Sequence, residues 1–118
     1  MSEKKIQIIT DLDLSTIVGT TSVQPEGDFS KYDYISIQHV WTGVTGTLDA
    51  TIDLQQKNAA AATVYDTVTD LQVLVDSASG SETAEHVAFG GAYINVLITE
   101  NNITGGTLNS YLVAKKKL

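Results

Sequence analysis

The 118-residue sequence contains no cysteine, no arginine and a single proline. Without cysteine, disulfides and thiolate metal sites are excluded, so stability must come from packing, with association between subunits as a further source. A nucleic-acid-binding protein needs cationic donors for phosphate, and this chain has no arginine and a formal net charge of −7. The composition therefore argues against a nucleic-acid partner.

Charged residues and long apolar runs are also scarce. Charged residues make up 18% of the chain, against about 25% in typical globular domains. Two interpretations remain open, a surface partly covered by a neighbour and a solvated surface rich in Thr, Ser and Asn. No apolar run approaches the roughly 20 residues of a transmembrane helix, and the apolar part of segment 1–10 is too short for a signal peptide. We expect no membrane partner and no export signal.

The length fits one domain, and the hydrophobic alternation predicts a mostly-β fold. The clearest strand is Thr47–Gln55, in which apolar and polar residues alternate. An amphipathic helix is the alternative for the alanine-rich segment 56–75, although its β-branched residues disfavour it. Predicted strands cover segments 4–10, 32–41, 47–55, 63–68, 71–76, 92–99 and 107–114. The prediction is an all-β, antiparallel β-sandwich of jelly-roll type, with a core that includes Ile35, Ile37, Leu48, Ile52, Leu54, Ile94, Val96, Ile98 and Leu112.

Segment 1–30 is predicted to be an N-terminal arm or a set of edge strands, and segment 31–118 the sandwich body. The boundary is the turn-like stretch around Pro25 and Gly27. The segment has strand-like apolar spacing, and an isolated apolar strand exposes unpaired edge groups unless something covers it. We expect the segment to pair with a neighbouring subunit or another protein; the alternative is that it adds an edge strand to its own sheet.

The residues that titrate or bind metals do not form a catalytic pattern. His39 and His86 have no nucleophile or further metal ligand at meaningful spacing, and a packed core histidine is the favoured interpretation of His39. Asp11 and Asp13 begin like a calcium loop, but its glycine and distal glutamate are missing. Asp49 and Asp53 face water on one predicted strand, where solubilising carboxylates are common. We predict a non-enzymatic protein with no cofactor and no metal.

The aromatic and glycine-rich segments allow two interpretations each. The aromatic side chains either fill the core and its rim or form a platform on which sugar rings stack; Trp41 and Tyr65 are the candidate ligand-stacking residues. Segment 42–46 is predicted to be a loop and segment 101–106 a hairpin turn, since Gly105 and Gly106 lack a phosphate-loop context. The lysine run 115–117 is expected to be a solvated terminus.

Three segments, Gln38–Gly43, Thr47–Gln55 and Thr104–Lys115, resemble small β-sandwich proteins encoded among the virion structural genes of tailed bacteriophages. That group has a strand of the type GTLDGTVKLQ, a following loop of the type SNDGTNW, and a later segment N-x-ITGGTLNAYL-x-AK. The resemblance covers residues 32–117. The chain departs from the pattern at 56–66, where the expected Ser-Asn-Asp-Gly and tryptophan are replaced by an alanine-rich segment that retains Asn58 and Tyr65.

The resemblance implies a structural protein of the virion, made in the host cytoplasm and acting as a capsid decoration or head-fibre-type accessory. It implies capsid or other virion proteins as partners and a homo-oligomer, with a trimer favoured by analogy with phage fibres. The alternative function is that of a carbohydrate-binding module for host glycans, in which loop aromatics stack on sugar rings.

Overall fold

A computed structural model describes residues 3–86 and 89–116, and these residues form two antiparallel β-sheets packed face to face. Two short 3-10 turns accompany the strands, at Leu14–Thr16 and Thr69–Leu71. In the described part of the chain there is no helix with the length and apolarity needed to cross a membrane. The strands are β1 (Glu3–Asp13), β2 (Thr20–Val23), β3 (Tyr34–Gly46), β4 (Ala50–Lys57), β5 (Asp66–Thr67), β6 (Val73–Val75), β7 (Gly80–His86), β8 (Tyr93–Glu100) and β9 (Ile103–Lys115).

The strand order places the long strands at the centre of each sheet. Among the described residues, the four-stranded sheet runs β1-β9-β3-β7. The five-stranded sheet runs β2-β8-β4, and β5 and β6 both pair with the far edge of β4. The domain measures 43 × 28 × 21 Å. The predicted all-β antiparallel sandwich is confirmed, and the helix alternative for segment 56–75 is wrong.

The core lies between the two sheets and is formed by alternate residues of the central strands. Ile52 and Ile98, which are 0% exposed, face each other across β4 and β8. Every predicted core residue except Leu48 is buried. Leu48 is 43% exposed because β4 begins only at Ala50, so the alternation that was extended back to Thr47 does not hold there.

Two predicted loops are parts of long strands. Strand β3 continues through segment 42–46, where its pairing with β9 shifts register twice. Gly106 lies opposite this irregularity, and a Cβ there would come within 2.9 Å of Val44 Cα, so the two backbones approach too closely for a side chain. The turn is confined to Asn101 and Asn102, where the chain passes from the five-stranded to the four-stranded sheet. Asn102 adopts the left-handed backbone conformation (φ 60°) that asparagine tolerates.

The N-terminal segment supplies edge strands to both sheets of its own sandwich. Strand β1 pairs with β9, and β2 pairs with β8. Ile9 and Phe29 are buried in the core, at 3% and 0% exposure. Of the two alternatives for this segment, the structure therefore shows the one in which it adds edge strands to its own sheets, and pairing with a neighbouring subunit stays a prediction. Packing against the core of the same chain removes the apolar surface of these side chains from water, which stabilises this arrangement. Residues 1, 2, 117 and 118 of the predicted domain bounds lie outside the described residues.

A buried histidine makes the fold sensitive to acid. His39 is 0% exposed, its Nδ1 lies 2.6 Å from the hydroxyl of Ser110, and burial lowers its pKa to about 4. An unfolded histidine titrates near about 6.5. Below that pH the histidine of the unfolded chain takes up a proton, whereas His39 in the folded chain does not. The free energy of unfolding therefore decreases as the pH falls from about 6.5 to about 4, by roughly 3 kcal/mol in all.

Replacing both partners of this hydrogen bond should remove the acid sensitivity. We expect His39→Leu with Ser110→Ala to keep its urea midpoint between about pH 6.5 and about pH 4.5, because neither side chain then titrates or loses a partner. His86→Gln is the control, since His86 is partly exposed and bonds to Asp70 at 2.7 Å. If the urea midpoint falls by the same amount in the double variant and in the wild type when the pH is lowered, another group controls the acid sensitivity.

Candidate functional site

A cleft of about 430 Å³ lies beside the end of β4 and the start of β8. Its two aromatic residues are Tyr65, from the β4–β5 connection, and Tyr93, the first residue of β8. One wall comes from the β2–β3 connection. The other comes from the β4–β5 connection, residues 58–65, which is called the alanine-rich segment from here on. The described residues that line the cleft are Gln24, Pro25, Gly27, Asp28, Lys57, Ala60, Tyr65, Tyr93 and Ile94.

Lys57 organises the aromatic wall of the cleft. Its backbone pairs with Tyr93 across β4 and β8. Its Nζ donates to the carbonyl oxygens of Ala60 (3.3 Å) and Ala62 (2.9 Å). The same ammonium lies 4.7 Å from the ring centroid of Tyr65 and 5.9 Å from that of Tyr93, within or near cation–π range. One side chain therefore holds the alanine-rich segment against the sheet and links it to both tyrosines.

The opposite wall is anchored to the core by Phe29. The Phe29 ring is 0% exposed, and its backbone N–H donates to the carbonyl of Ala92 at 2.6 Å. Just before it, the Asp28 carboxylate accepts the Ser30 N–H at 2.8 Å. This backbone hydrogen bond lowers the pKa of Asp28, so the cleft wall carries a negative charge at neutral pH. Gly27 has φ +108°, a conformation that favours glycine at this turn.

A row of hydrogen-bonded polar side chains crosses the outer face of the five-stranded sheet next to the cleft. The Asn95 amide donates to Gln55 Oε1 at 2.8 Å and contacts Ser22 Oγ at 3.5 Å. The Gln55 amide in turn donates to Thr67 Oγ1 at 3.3 Å. Asn95 is two residues beyond Tyr93 in β8, about 7 Å along the strand and on the same face. The row of side chains next to the tyrosines is therefore polar and uncharged, and the charged Lys57 and Asp53 lie on either side of Gln55 in β4.

The structure separates the two predicted ligand-stacking aromatics. Tyr65 is half-buried and lines the cleft. Trp41 is only 3% exposed; its Nε1 donates to the Ser77 carbonyl at 3.1 Å, and Gly80 packs against its ring. The prediction that Trp41 offers a ring to a ligand is corrected, because its position on the inward-facing side of β3 places it in the core. Tyr93 takes its place as the partner of Tyr65.

The histidines and their partners among the described residues have structural contacts. His39 and Ser110 are hydrogen-bonded to each other, but both are 0% exposed, so a substrate cannot reach the hydroxyl. His86 bonds to Asp70, and this contact lowers the pKa of the Asp70 carboxyl. Asp53 accepts a hydrogen bond from Gln72 at 2.7 Å. Across residues 3–86 and 89–116, no group of three or more His, Asp or Glu side chains lies close enough together to hold a metal ion.

The two aspartates considered for a calcium loop, Asp11 and Asp13, have local structural roles. Asp13 caps the first 3-10 turn by accepting the Ser15 N–H at 3.0 Å. The Ser15 hydroxyl, which donates to the same carboxylate at 2.7 Å, and then this N–H lower the pKa of Asp13. Asp11 has φ 47° and bonds to Asn109 across an irregularity in the β1–β9 pairing. Both residues therefore shape the backbone of the N-terminal segment.

A second depression, of about 440 Å³, lies at the corner where the chain passes between the sheets. Residues 17–19 and 100–104 line it, and Val18 is 93% exposed. Its described lining contains no aromatic ring. The cleft at Tyr65 and Tyr93 is therefore the better candidate for a small-molecule site.

The outer face of the four-stranded sheet is uncharged over the middle of its two central strands, between Lys115 at one end and the irregular pairing near Gly46 at the other. The outward residues of β3 and β9 pair across the strands as Ser36 with Val113, Gln38 with Tyr111, Val40 with Asn109 and Thr42 with Thr107. We call these eight residues the uncharged face. Tyr111 at its centre is 41% exposed. The row through Tyr111 continues without charge onto both edge strands, to Gln7 on β1 and Thr83 on β7.

No protein-family model and no curated protein matches the sequence. Several solved structures match the fold. The infectious bursal disease virus VP2 subviral particle aligns with a TM-score of 0.60 and 12% identity over 98% of this chain and 32% of the VP2 chain. The chain thus spans about a third of that capsid protein. The C-terminal CBM6 of LamC, a marine laminarinase from Zobellia galactanivorans, aligns with a TM-score of 0.56 and 10% identity over 97% of this chain and 100% of that module.

A low-affinity xylan-binding module, CBM86 of Roseburia intestinalis, aligns with a TM-score of 0.50 and 14% identity, covering 99% of this chain and 97% of that one. All these identities are too low to carry a function from one protein to the other, so the similarity concerns the fold. The chain has a jelly-roll-like β-sandwich fold that viral capsid proteins and carbohydrate-binding modules share.

Proposed function

We propose that the chain is a non-enzymatic structural protein of a tailed-phage virion, a capsid decoration or head-fibre-type accessory that docks through the uncharged face. The observation that carries this proposal is the distribution of charge. The chain has 21 charged residues, 14 acidic and 7 basic, yet the eight central positions of this face are all uncharged. The sequence resemblance over residues 32–117 and the fold shared with a viral capsid protein support the virion as its location.

The uncharged face has the composition of the centre of a protein–protein interface. Charged residues are depleted at interface cores, and tyrosine is enriched there. Tyr111 lies at the middle of the face, with Val40 and Val113 half-exposed around it. Charges begin one row away from Tyr111 in both directions. On one side Lys5 and Glu85 flank Val113 and Ser36, and on the other the Asp11 carboxylate accepts a hydrogen bond from the Asn109 amide at 3.2 Å. Seven residues of strand span about 23 Å, so the face suits a modest contact repeated over many copies, as on a capsid, where multivalency adds to affinity.

Docking through this face leaves the opposite side of the sandwich directed outward. The cleft lies at the five-stranded sheet, and the uncharged face belongs to the four-stranded sheet. A protein bound in this orientation presents Tyr65 and Tyr93 to the medium. The two surfaces can therefore act at the same time.

We test the docking proposal by co-purification. The protein should sediment with density-gradient-purified virions of the phage that encodes it, and recombinant protein should bind to capsids that lack it. Protein that stays in the soluble fraction in both experiments would contradict the virion role.

Self-association is part of the proposal, with a trimer as the expected state. Strand β1 lies at an edge of the four-stranded sheet, and an edge strand can pair with a strand of another subunit. Multi-angle light scattering on the full chain should give the mass of a trimer. A monomeric mass at about 100 μM, well above the dissociation constant of a stable oligomer, would contradict self-association and leave the docking proposal standing.

A second function, carbohydrate binding, is favoured by the cleft. Two tyrosine rings beside uncharged amide side chains combine stacking surfaces with hydrogen-bonding groups, which are the two elements of sugar recognition. Binding should be lost in Tyr65→Ala and Tyr93→Ala and retained in Tyr111→Ala, an exposed tyrosine on the opposite sheet. Trp41→Ala is not suited to this test, because it removes a core side chain.

A further inference from the structure

We infer that the cleft selects neutral carbohydrate, and that Lys57 is a positioning residue that sets the aromatic wall without binding the ligand. The inference rests on the proposed carbohydrate binding and specifies its ligand class. Lys57 is the one cationic side chain among the described residues that line the cleft. Whether its ammonium is available to a ligand therefore decides whether an acidic sugar can bind.

The contacts of Lys57 show that its ammonium is engaged within the protein. An ammonium group has three donors, and two of them are directed to the carbonyl oxygens of Ala60 and Ala62. The same group lies against the Tyr65 ring at 4.7 Å. A carboxylate or sulfate of a ligand would have to take the ammonium away from these partners, which would release the segment that carries Tyr65.

The carboxylates that border the cleft also disfavour an anionic ligand. The Asp28 carboxylate lines the wall opposite Lys57 and remains ionised at neutral pH because Ser30 donates to it. The ammonium of Lys4 lies beside Gly27 behind the same wall, and it is engaged by the Glu26 carbonyl at 3.4 Å and by the Phe29 ring at 4.6 Å. Asp66 borders the adjoining shallow depression, which also includes Lys57. The protein as a whole carries a formal charge of −7. Carboxylates accept hydrogen bonds from neutral sugar hydroxyls but repel uronates and sulfates.

The alanine-rich segment gains its shape from Lys57. Within the segment itself, the Ala62 N–H donates to the Ala59 carbonyl at 3.1 Å. Alanine side chains contribute little packing, so the lysine contacts hold Tyr65 in place beside Tyr93. Preorganisation of this kind improves affinity by reducing the ordering that binding requires.

The test is a calorimetric titration of the full-length protein with two sets of probes. The neutral set is xylohexaose, cellohexaose and laminarihexaose, and the anionic probe is hexagalacturonate. We expect at least one neutral probe to bind, with affinity that changes less than about twofold between about 50 and about 500 mM salt, because no ligand charge is screened. Hexagalacturonate should not bind.

Variants at Lys57 separate a positioning role from a binding role. Lys57→Met keeps the length of the side chain but removes the ammonium. It should weaken binding of the neutral probe about tenfold through the loss of preorganisation, and the salt dependence should remain flat. The Ala62 amide, which donates to the Ala59 carbonyl, should exchange faster with solvent. Lys57→Arg should largely restore affinity. A melting temperature equal to that of the wild type confirms that the sandwich is intact.

Each remaining outcome is decisive. Steeply salt-dependent binding of hexagalacturonate that Lys57→Met abolishes would overturn this inference while leaving the carbohydrate-binding function in place. Binding of the neutral probe that Lys57→Met leaves unchanged would overturn the positioning role. If neither set of probes binds, the carbohydrate-binding proposal itself fails, and the selectivity inference fails with it.

Discussion

Ile52→Asp should leave the chain unfolded at room temperature. Ile52 is 0% exposed and faces Ile98 on β8 and Val73 on β6. An ionised carboxylate there has no polar partner, and burying it costs several kcal/mol in addition to the lost packing. The total stability of a domain of this size is about 5–15 kcal/mol. Circular dichroism and a heteronuclear NMR spectrum should show the loss of β structure and of chemical-shift dispersion.

The neighbouring residue provides the matched control for this substitution. Thr51 lies on the outer face of the same strand, opposite Thr99 and Leu74. Thr51→Asp introduces the same charge with access to water, so its free energy of unfolding should change by no more than about 1 kcal/mol. A folded Ile52→Asp variant with a melting temperature close to that of Thr51→Asp would contradict the assignment of β4 to the centre of the core.

Removal of residues 1–29 should also abolish folding. The deletion removes one edge strand from each sheet, β1 and β2. It also removes four core side chains that are at most 6% exposed, Ile9, Leu14, Ile17 and Phe29. Burial of each of these contributes about 1.5–3 kcal/mol, or roughly 6–12 kcal/mol in all, which is comparable to the whole stability of the domain. The truncated chain should give a random-coil spectrum.

A substitution in the same segment shows whether the effect comes from the core contacts. Val18 is 93% exposed, so Val18→Ser should unfold at the same urea concentration as the wild type. If the truncated chain folds with native-like dispersion, the N-terminal segment does not belong to the sandwich core, and the pairing of β1 with β9 is not needed for stability.

Strict alternation made the central strands predictable. In β3 the inward residues Ile35 and Ile37 are buried, and in β4 Ile52 and Leu54 are buried, as their spacing indicates. Strand β7 carried no such signal, because its sequence Gly80–His86 is polar on both faces and lies at a sheet edge. The extension of β3 to Gly46 was missed because glycine and threonine at an irregular register look like a loop in the sequence.

The candidate site was only half predictable. Tyr65 stood out as the aromatic residue in a loop, but its partner Tyr93 lies at the start of a strand that looks like a core strand. What joins the two is the register that places Lys57 beside Tyr93, and register depends on the whole sheet. Trp41 was the other candidate ligand-stacking residue, but it shares the inward face of β3 with Ile35 and Ile37 and is buried there.

Capsid co-sedimentation of matched charge variants tests most directly whether the chain docks through the uncharged face, as we propose. Gln38→Glu changes one amide to a carboxylate of the same shape at the centre of the face, and Tyr111→Asp introduces a charge on its cross-strand partner. Thr99→Asp adds the same charge to the exposed outer face of the opposite sheet. We expect both variants of the uncharged face to bind capsids at least about tenfold more weakly, with Thr99→Asp equal to the wild type. Equal binding by all three variants, each with a wild-type melting temperature, would contradict docking through this face.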